Sequence, residues 1–260
     1  MGYAFHFNDP ITTVITMQGL REERPQSRDR TSLAVALAMQ HDYVNAAYVY
    51  AGLDLVGLNV QQLLLAGEAH FRAGLATKAR VCFRDAVQIF RRALKMHGET
   101  VDVCCWLARA YGCLALYSWL PGKMLYALTS KRFAERSLRL NPQHALSAYV
   151  LAMWHQKMPV WLGGNVKLVA DYLDRAVENA RDRIMFRIAR ARWNLKRGAL
   201  GPAHVDLNII PMLGAHDPDD DRRKIEALDL IAKHGLQEPS HGRTAAEQAQ
   251  LFTTDAGHST

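Results

Sequence analysis

The sequence predicts an all-α fold: an array of antiparallel helical hairpins that coils into a compact superhelix. Three observations support this. From about residue 42 to residue 235, apolar residues recur at positions i, i+3, i+4 and i+7 between breaks at Gly, Pro and Asn. Candidates for β-strands are nearly absent from this stretch. Small residues also recur at similar places in successive helices, as they do in stacked helical repeats.

The first repeat is the clearest, in the segment LLLAGEAHFRAGLATKARVCFRDAV that begins at residue 63. Gly67, Ala79, Phe83 and Ala86 stand at offsets 0, 12, 16 and 19. The small residues let the two helices of one hairpin approach closely, and the aromatic ring fills the space toward the next hairpin. This spacing is the tetratricopeptide pattern.

Later repeats follow the same frame with longer spacing. The small anchors are Gly67, Ala108, Ala152 and Ala191, which are 41, 44 and 39 residues apart. These intervals exceed the usual 34, and we place the extra length between the two helices of each middle hairpin. The predicted hairpins cover about residues 61–97, 99–140, 142–180 and 182–214. A helix near 32–57 precedes them, and a capping helix near 218–234 follows.

The chain divides into three predicted parts. Residues 1–31 form an N-terminal arm and linker, in which the β-branched run Ile11–Met17 is a short strand or an extended arm. Residues 32–235 form the helical-repeat domain, and residues 236–260 form a loose C-terminal tail with few apolar residues.

Composition and charge exclude several classes of protein. A hydrophobic content of 49% with 22% charged residues is typical of a folded globular chain. The uncharged stretch from Ala110 to Gly122 is too short to cross a bilayer, so we expect no transmembrane segment. The net charge of +7 weakly favours acidic partners. No export signal is visible at the N-terminus.

Catalytic motifs are missing from the sequence, which contains no HExxH, GxSxG, GxGxxG or P-loop pattern. We therefore expect a protein without enzymatic activity, cofactor or metal. The four cysteines, in a spacing that suggests no zinc or redox site, are predicted to be free thiols. His70 and His155 occupy comparable repeat positions and are interpreted as polar edges of hairpin interfaces.

Two charged clusters have a structural and a functional interpretation. The acidic run from His216 to Lys224 is interpreted as a helix cap rather than a cation site. Four arginines fall on one helical face, and a solvated outer face is favoured over contacts with phosphates or an acidic partner. They are Arg183, Arg187, Arg190 and Arg197. Because few aromatic residues lie among them, no nucleic-acid partner is expected.

Two lengthened connections have unusual chemistry. Their Pro and Gly content marks YSWLPGKMLY, at residues 117–126, and QKMPVWLGG, at residues 156–164, as loops, although both are rich in apolar residues. Loops are usually polar because they face water. Each joins the two helices of a middle hairpin, so an array places both at the same end. Together they predict an exposed apolar patch that serves as a binding mouth or a partner surface.

Aromatic and methionine side chains lie behind and within these loops. Such residues usually fill a core, but the apolar loops favour a cavity. Tyr117, Tyr149 and Tyr172 can offer hydroxyl groups to a lipid alcohol such as a sterol or hopanoid. The candidate ligand-binding residues are Trp106, Tyr111, Tyr117, Trp119, Tyr149, Met153, Trp154, Met158, Trp161 and Tyr172.

The segment SLRLNPQHALSAYVLAMWHQKMPVWLGGNVKLVADYLDRAVENA carries a family resemblance in its Leu-Gly-Gly-Asn turn and Ala-rich repeat face. It resembles the TatT-like family, the T component of tripartite ATP-independent periplasmic transporters, and related bacterial lipid-trafficking proteins. The resemblance covers about residues 60–215. It implies an all-α body around an apolar passage, a periplasmic location and other transport proteins as partners. A cytoplasmic location is the alternative, because no signal peptide is visible.

Two functions follow from these observations. The first is a non-enzymatic binding or transport protein that holds a hydrophobic small molecule, such as a sterol or hopanoid, between its helices. The alternative is a protein–protein interaction scaffold of tetratricopeptide type, whose concave surface grips a peptide or a partner subunit.

Overall fold

A computed structural model of the protein describes residues 27–236. Within this range the chain is helical and contains no β-strand. The predicted strand at Ile11–Met17 and all but the first residue of the predicted C-terminal tail lie outside the described residues. No helix in the described range combines the length and apolar character needed to cross a membrane.

The helices agree with the predicted hairpins to within about three residues, except that α10 ends at Ile209, five residues before the predicted end of the fourth hairpin. Short 3-10 turns at Val160–Leu162 and Ile210–Met212 interrupt the connections. The α-helices are α1 (Ser27–Met39), α2 (Tyr43–Ala51), α3 (Val60–Thr77), α4 (Arg80–His97), α5 (Val101–Leu116), α6 (Gly122–Leu140), α7 (Ala145–Lys157), α8 (Val166–Asn179), α9 (Ile184–Lys196), α10 (Leu200–Ile209) and α11 (Asp220–Lys233).

The described residues divide into two compact units, with the boundary between Val169 and Ala170 inside α8. In the first unit, α1 to α7 pack mainly against their neighbours in chain order. Its apolar core extends along the helices from Ala34 to Leu114. In the second unit, α9, α10 and α11 enclose a smaller core that includes Ile188, Leu207 and Ala227.

Local side-chain chemistry sets the helix ends. At the start of α3, the Asn59 N–H donates to Gln62 Oε1 (3.0 Å) and the Gln62 N–H donates to Asn59 Oδ1 (2.9 Å). This reciprocal pair satisfies N–H groups that have no partner within the helix. Thr100 caps α5 by accepting a hydrogen bond from the Val103 N–H at 3.2 Å.

The single helix predicted near residues 32–57 is wrong, because α1 and α2 are separate. His41 adopts a left-handed backbone conformation, with φ of 62°, which ends the first helix. Asp42 then accepts a hydrogen bond from the Asn45 N–H (3.3 Å) and begins the second. The apolar periodicity continues through this break, so periodicity alone did not reveal it.

The small-residue frame of the repeats is confirmed. Ala108, Ala152 and Ala191 are fully buried on α5, α7 and α9, where the pattern placed them. Gly67 faces the ring of Phe90, and a Cβ added there would lie 2.3 Å from a ring carbon. This glycine is required because α3 and α4 cross too closely for any side chain at the contact.

Candidate functional site

Trp106 and Tyr111, two of the predicted ligand-binding residues, pack against aromatic rings of other helices. Trp106 on α5 stacks on Phe90 of α4, with ring centroids 5.5 Å apart. Tyr111 is buried and stacks on Phe133 of α6 at 5.9 Å. Offset and parallel ring pairs of this kind stabilise cores. Both side chains therefore join helices together.

The side chains of Tyr117 and Trp154 also contact other helices of the protein. Tyr117 stacks on Phe83 near the start of α4, with centroids 5.4 Å apart. Trp154 is buried, and its Nε1–H donates a 2.8 Å hydrogen bond to the Ala127 carbonyl of α6. The Lys131 ammonium lies over the indole ring at 4.6 Å from its centroid. These contacts tie α7 to α6.

The remaining predicted residues are dispersed. Tyr149, Met153 and Met158 are partly buried in the first unit. Tyr172 lies in the second unit, where the Arg175 guanidinium covers its ring at 5.5 Å. Trp119 and Trp161 stand in solvent, with 91% and 77% of their surface exposed.

Two surface depressions of the described chain lie along α6 and α4, each of which is the second helix of a hairpin. One, of about 380 Å³, follows α6 between Thr129 and Arg139. Another, of about 570 Å³, follows α4 between Gln88 and Met96. Neither of these two is lined by a predicted ligand-binding residue.

Arg109 on α5 forms the centre of a site that the sequence reasoning missed. Its guanidinium carbon lies 4.2 Å from the ring centroid of Trp106 and 4.7 Å from that of Phe71. The side chain is only partly exposed, yet it forms no ion pair with any carboxylate in residues 29–236. We call these three residues the Arg109 site.

One cation and one carboxylate, Arg72 and Glu68, lie near the Arg109 site and shift the pKa of Arg109 in opposite directions. Burial is the main cause that lowers the pKa of Arg109 from its ordinary value; Arg72 lowers that pKa further, whereas Glu68 raises it. Glu68 is the nearby carboxylate, but its Oε1 accepts a 2.6 Å hydrogen bond from Arg72 Nε. The charge of Arg109 is therefore left uncompensated by an ion pair within the described chain.

The sequence carried a weak signal for this site. Arg109 follows Trp106 by three residues, and Phe71 falls on the equivalent first helix of the preceding hairpin. A cation three residues from an aromatic shares its helical face. Whether a carboxylate forms an ion pair with Arg109 depends on which helices meet, and the pattern does not contain that information.

The arginine face of α9 is corrected by the structure. The expectation of a solvated outer face fails for Arg187 and Arg190, which converge on the fully buried Asp206 of α10. Arg187 Nη1 donates to Asp206 Oδ1 at 3.0 Å, and Arg190 Nε donates to Oδ2 at 2.7 Å. A buried carboxylate requires such partners. These arginines hold α9 against α10.

The acidic run at the start of α11 has a structural role, but the predicted helix cap is wrong: Asp219, at the N-cap position, makes no side-chain capping hydrogen bond, and the carboxylates bind the segment before the helix instead. Asp220 is buried and its Oδ2 accepts hydrogen bonds from the backbone N–H groups of His216 and Asp217, both at 2.9 Å. Its Oδ1 accepts from Arg223 Nη1 at 2.7 Å. The carboxylates thus satisfy backbone groups and neighbouring arginines at the start of the helix.

The two histidines and the four cysteines that the sequence analysis singled out lie in the described part of the chain. His70 and His155 are both buried on first helices, and burial lowers the pKa of each below the ordinary histidine value. All four cysteines are free thiols, as predicted. Burial raises the pKa of Cys105 and Cys113 to about 11, which makes the reactive thiolate scarce at neutral pH.

Comparison with known proteins gives the fold. No protein-family model matches the chain, and no curated protein matches it. Among solved structures, TTC0263, a thermophilic TPR protein of Thermus thermophilus, is similar with a TM-score of 0.60 and 18% identity over 78% of this chain and 98% of that one. HusA haemophore from Porphyromonas gingivalis gives a TM-score of 0.48 with 14% identity, covering 69% and 92% of the two chains. A MamA segment from Desulfovibrio magneticus RS-1 gives 0.47 with 12% identity, covering 80% and 96%.

The first of these similarities, together with the helices, confirms the predicted all-α, tetratricopeptide-like fold of antiparallel hairpins. At 18% identity it shows the fold and not the activity.

Proposed function

We propose that this protein is a non-enzymatic interaction scaffold that binds an acidic segment of a protein partner at the Arg109 site. The observation that carries the proposal is the guanidinium of Arg109, which lies against the rings of Trp106 and Phe71 and forms no ion pair with a carboxylate in the described chain. Stacked helical repeats form extended binding surfaces along one set of helices. Arg109 and its two rings lie on α5 and α3, which are first helices of successive hairpins.

The chemistry of the Arg109 site favours a carboxylate. A guanidinium can donate two parallel hydrogen bonds to one carboxylate, and contact with aromatic faces holds its plane in place beforehand. Pre-organisation reduces the entropy lost on binding. Because Glu68 already binds Arg72, an arriving carboxylate does not have to displace an ion pair from Arg109.

Several contacts favour the scaffold over the lipid carrier. Trp106, Tyr111 and Trp154, expected to line an apolar cavity, instead pack against the chain's own rings and backbone. Exposed Trp119 and Trp161 still agree with an apolar ligand. Relatedness to the TatT-like family, carriage of a sterol or hopanoid, work with other transport proteins and a periplasmic location remain a second proposal, supported by those two side chains and the sequence resemblance.

The proposal is tested with an array of ten-residue peptides in which Asp and Glu are paired with matched Asn and Gln versions. Affinities are then measured by fluorescence anisotropy for the wild type and for Arg109→Met. A hydrogen bond to a charged group contributes about 1.5–3 kcal/mol, so Arg109→Met should weaken acidic peptides by roughly 10- to 150-fold. Arg109→Lys should bind with intermediate affinity, because it keeps the charge and loses the planar fork.

Arg132→Met is the matched control, since Arg132 is an exposed arginine on α6. It should leave peptide affinity unchanged, and circular dichroism should show that all variants are folded. Equal affinities for the acidic and amide peptides, or for wild type and Arg109→Met, would contradict the proposal. Saturable binding of a sterol, weakened by Trp161→Ala, would instead support the carrier.

A further inference from the structure

Three helix-to-helix turns of the first unit lie along one edge. They connect α3 to α4, α5 to α6, and α7 to α8. Tyr117, in the second turn, stacks on Phe83 near the start of α4, with ring centroids 5.4 Å apart, and so lies beside the end of the first hairpin. The second and third are linked through Trp154, which bonds to Ala127 near the start of α6 and lies 3.7 Å from the Cβ position of Gly163. We call this edge the turn surface.

Apolar side chains project from all three turns. They include the two most exposed tryptophans of the described chain, and they belong to residues 75–81, 117–126 and 157–167. The exposed apolar residues of the turn surface are Leu75, Val81, Tyr117, Trp119, Leu120, Leu125, Val160, Trp161 and Val166. An apolar set of this extent marks a docking surface, because water-facing turns are normally polar.

The charges of the turn surface have a single sign. The same three segments contain no Asp or Glu, although the whole chain has 25 acidic residues. Their cationic residues are all exposed, and four of the five are lysines. These are Lys78, Arg80, Lys123, Lys157 and Lys167. The turn surface thus combines tryptophan tips with flexible cations, and nothing acidic neutralises them within the segments.

Two of the three helices that begin at the turn surface extend this positive potential, whereas α8 has three acidic and two basic residues. Both α4 and α6 begin at it, and each contains five Arg or Lys residues and one acidic residue. Together they carry more net positive charge than the +7 of the entire chain. A potential of this sign attracts anionic surfaces over a distance of about one Debye length.

We propose that the turn surface docks on an anionic lipid bilayer as a peripheral contact. Trp119 and Trp161 enter the interfacial zone, where an indole ring has both apolar and polar surroundings. Lysine stems lie along the apolar boundary while their ammonium groups contact anionic headgroups. This proposal involves different residues from the Arg109 site and does not depend on the partner bound there.

A bilayer fits this surface better than a protein partner. Protein–protein interfaces are depleted of lysine and enriched in arginine, and buried lysines there need carboxylate partners. The turn surface has the opposite preference, with lysines at its apolar tips. Basic residues beside exposed tryptophans are the composition of membrane-surface segments.

The test is sedimentation of the full-length protein with vesicles of phosphatidylcholine alone and of phosphatidylcholine mixed with phosphatidylserine. We expect binding to the mixed vesicles that decreases as salt is added, with a blue shift of tryptophan fluorescence. Trp119→Ala with Trp161→Ala should weaken this binding by about tenfold or more. Lys123→Glu with Lys167→Glu should weaken it by a similar factor.

Matched controls separate the turn surface from general charge and hydrophobicity. Lys95→Glu with Arg139→Glu changes net charge equally at the far ends of α4 and α6. Tyr48→Ala with Met212→Ala removes exposed apolar side chains elsewhere. Both control pairs should keep most of the vesicle binding. Absence of binding at low salt, equal binding to neutral vesicles, or equal losses in test and control variants would overturn the proposal.

Discussion

Removing the buried carboxylate Asp206 should be among the most destabilising single changes in the second unit. Its two oxygens accept three hydrogen bonds from Arg187 and Arg190, at 2.7 to 3.0 Å, and it is 0% exposed. Asp206→Ala leaves both guanidinium groups beside an empty site. Breaking a buried pair by removing one partner costs about 3–5 kcal/mol of unfolding free energy.

The lower end of this range applies because each arginine keeps one partner. Arg187 Nε still donates to the Arg181 carbonyl at 2.7 Å, and Arg190 Nη1 still donates to Asp174 at 3.0 Å. We therefore expect a loss of about 3 kcal/mol. With a urea dependence of about 1–3 kcal/mol per molar, the unfolding midpoint falls by about 1–3 M.

Asp174→Ala provides the matched control, because Asp174 binds the same Arg190 at 3.0 Å but is 53% exposed. An exposed pair is worth about 0–1 kcal/mol, so its midpoint should scarcely move. Asp206→Asn keeps the shape and removes the charge, and it should retain most of the destabilisation of Asp206→Ala. Urea unfolding followed by circular dichroism measures all three. Equal losses at Asp206 and Asp174, or full recovery in Asp206→Asn, would refute the reasoning.

Two further predictions concern packing and pH. Gly67→Ala forces a methyl group against the ring of Phe90 and should lower the free energy of unfolding by about 1–2 kcal/mol, after the gain in helix propensity is included. Gly201→Ala has open space around it and should raise the free energy of unfolding by up to about 1 kcal/mol. Thermal unfolding of both variants shows whether the two changes have opposite signs. Because burial lowers the pKa of His70 below 6.5, the unfolded chain takes up a proton first as the pH falls, so the stability that depends on neutral His70 is complete above pH 6.5 and decreases below it. His70→Gln should flatten this decrease in urea midpoints between pH 6.5 and about 5, and the exposed-site variant His97→Gln should not.

Much of the fold was predictable because its causes are local. The 3.6-residue periodicity and the breakers at Asn141 and Gly98 place helix ends within a few residues, since each helix satisfies its own backbone hydrogen bonds. The anchors at Gly67 and Ala191 were found because close helix crossings admit only small side chains. The break between α1 and α2 escaped because a one-residue left-handed turn at His41 leaves the periodicity intact.

The aromatic residues show where prediction from the sequence ends. Trp106, Tyr111 and Trp154 have the spacing of a helical face, and that spacing is the same for a core and for the lining of a cavity. Stacking partners on α4 and α6 cover one face of Trp106 and of Tyr111, which favours a core role, while ligand binding by these residues stays a prediction. The exposed position of Trp119 and Trp161 was anticipated, since Pro and Gly mark their segments as loops.

From α3 onward, the sequence by itself determined which segments are helical, how they pair into hairpins and which turns are apolar, because hydrogen bonding and periodicity act between residues close along the chain. Only the tertiary structure decided that Arg187 and Arg190 bind a buried carboxylate while Arg109 has none in the described chain. Each of these three arginines lies on the first helix of a hairpin. The free energy of a charge depends on the distance to its countercharge and on the water between them, and folding fixes both across segments far apart in sequence.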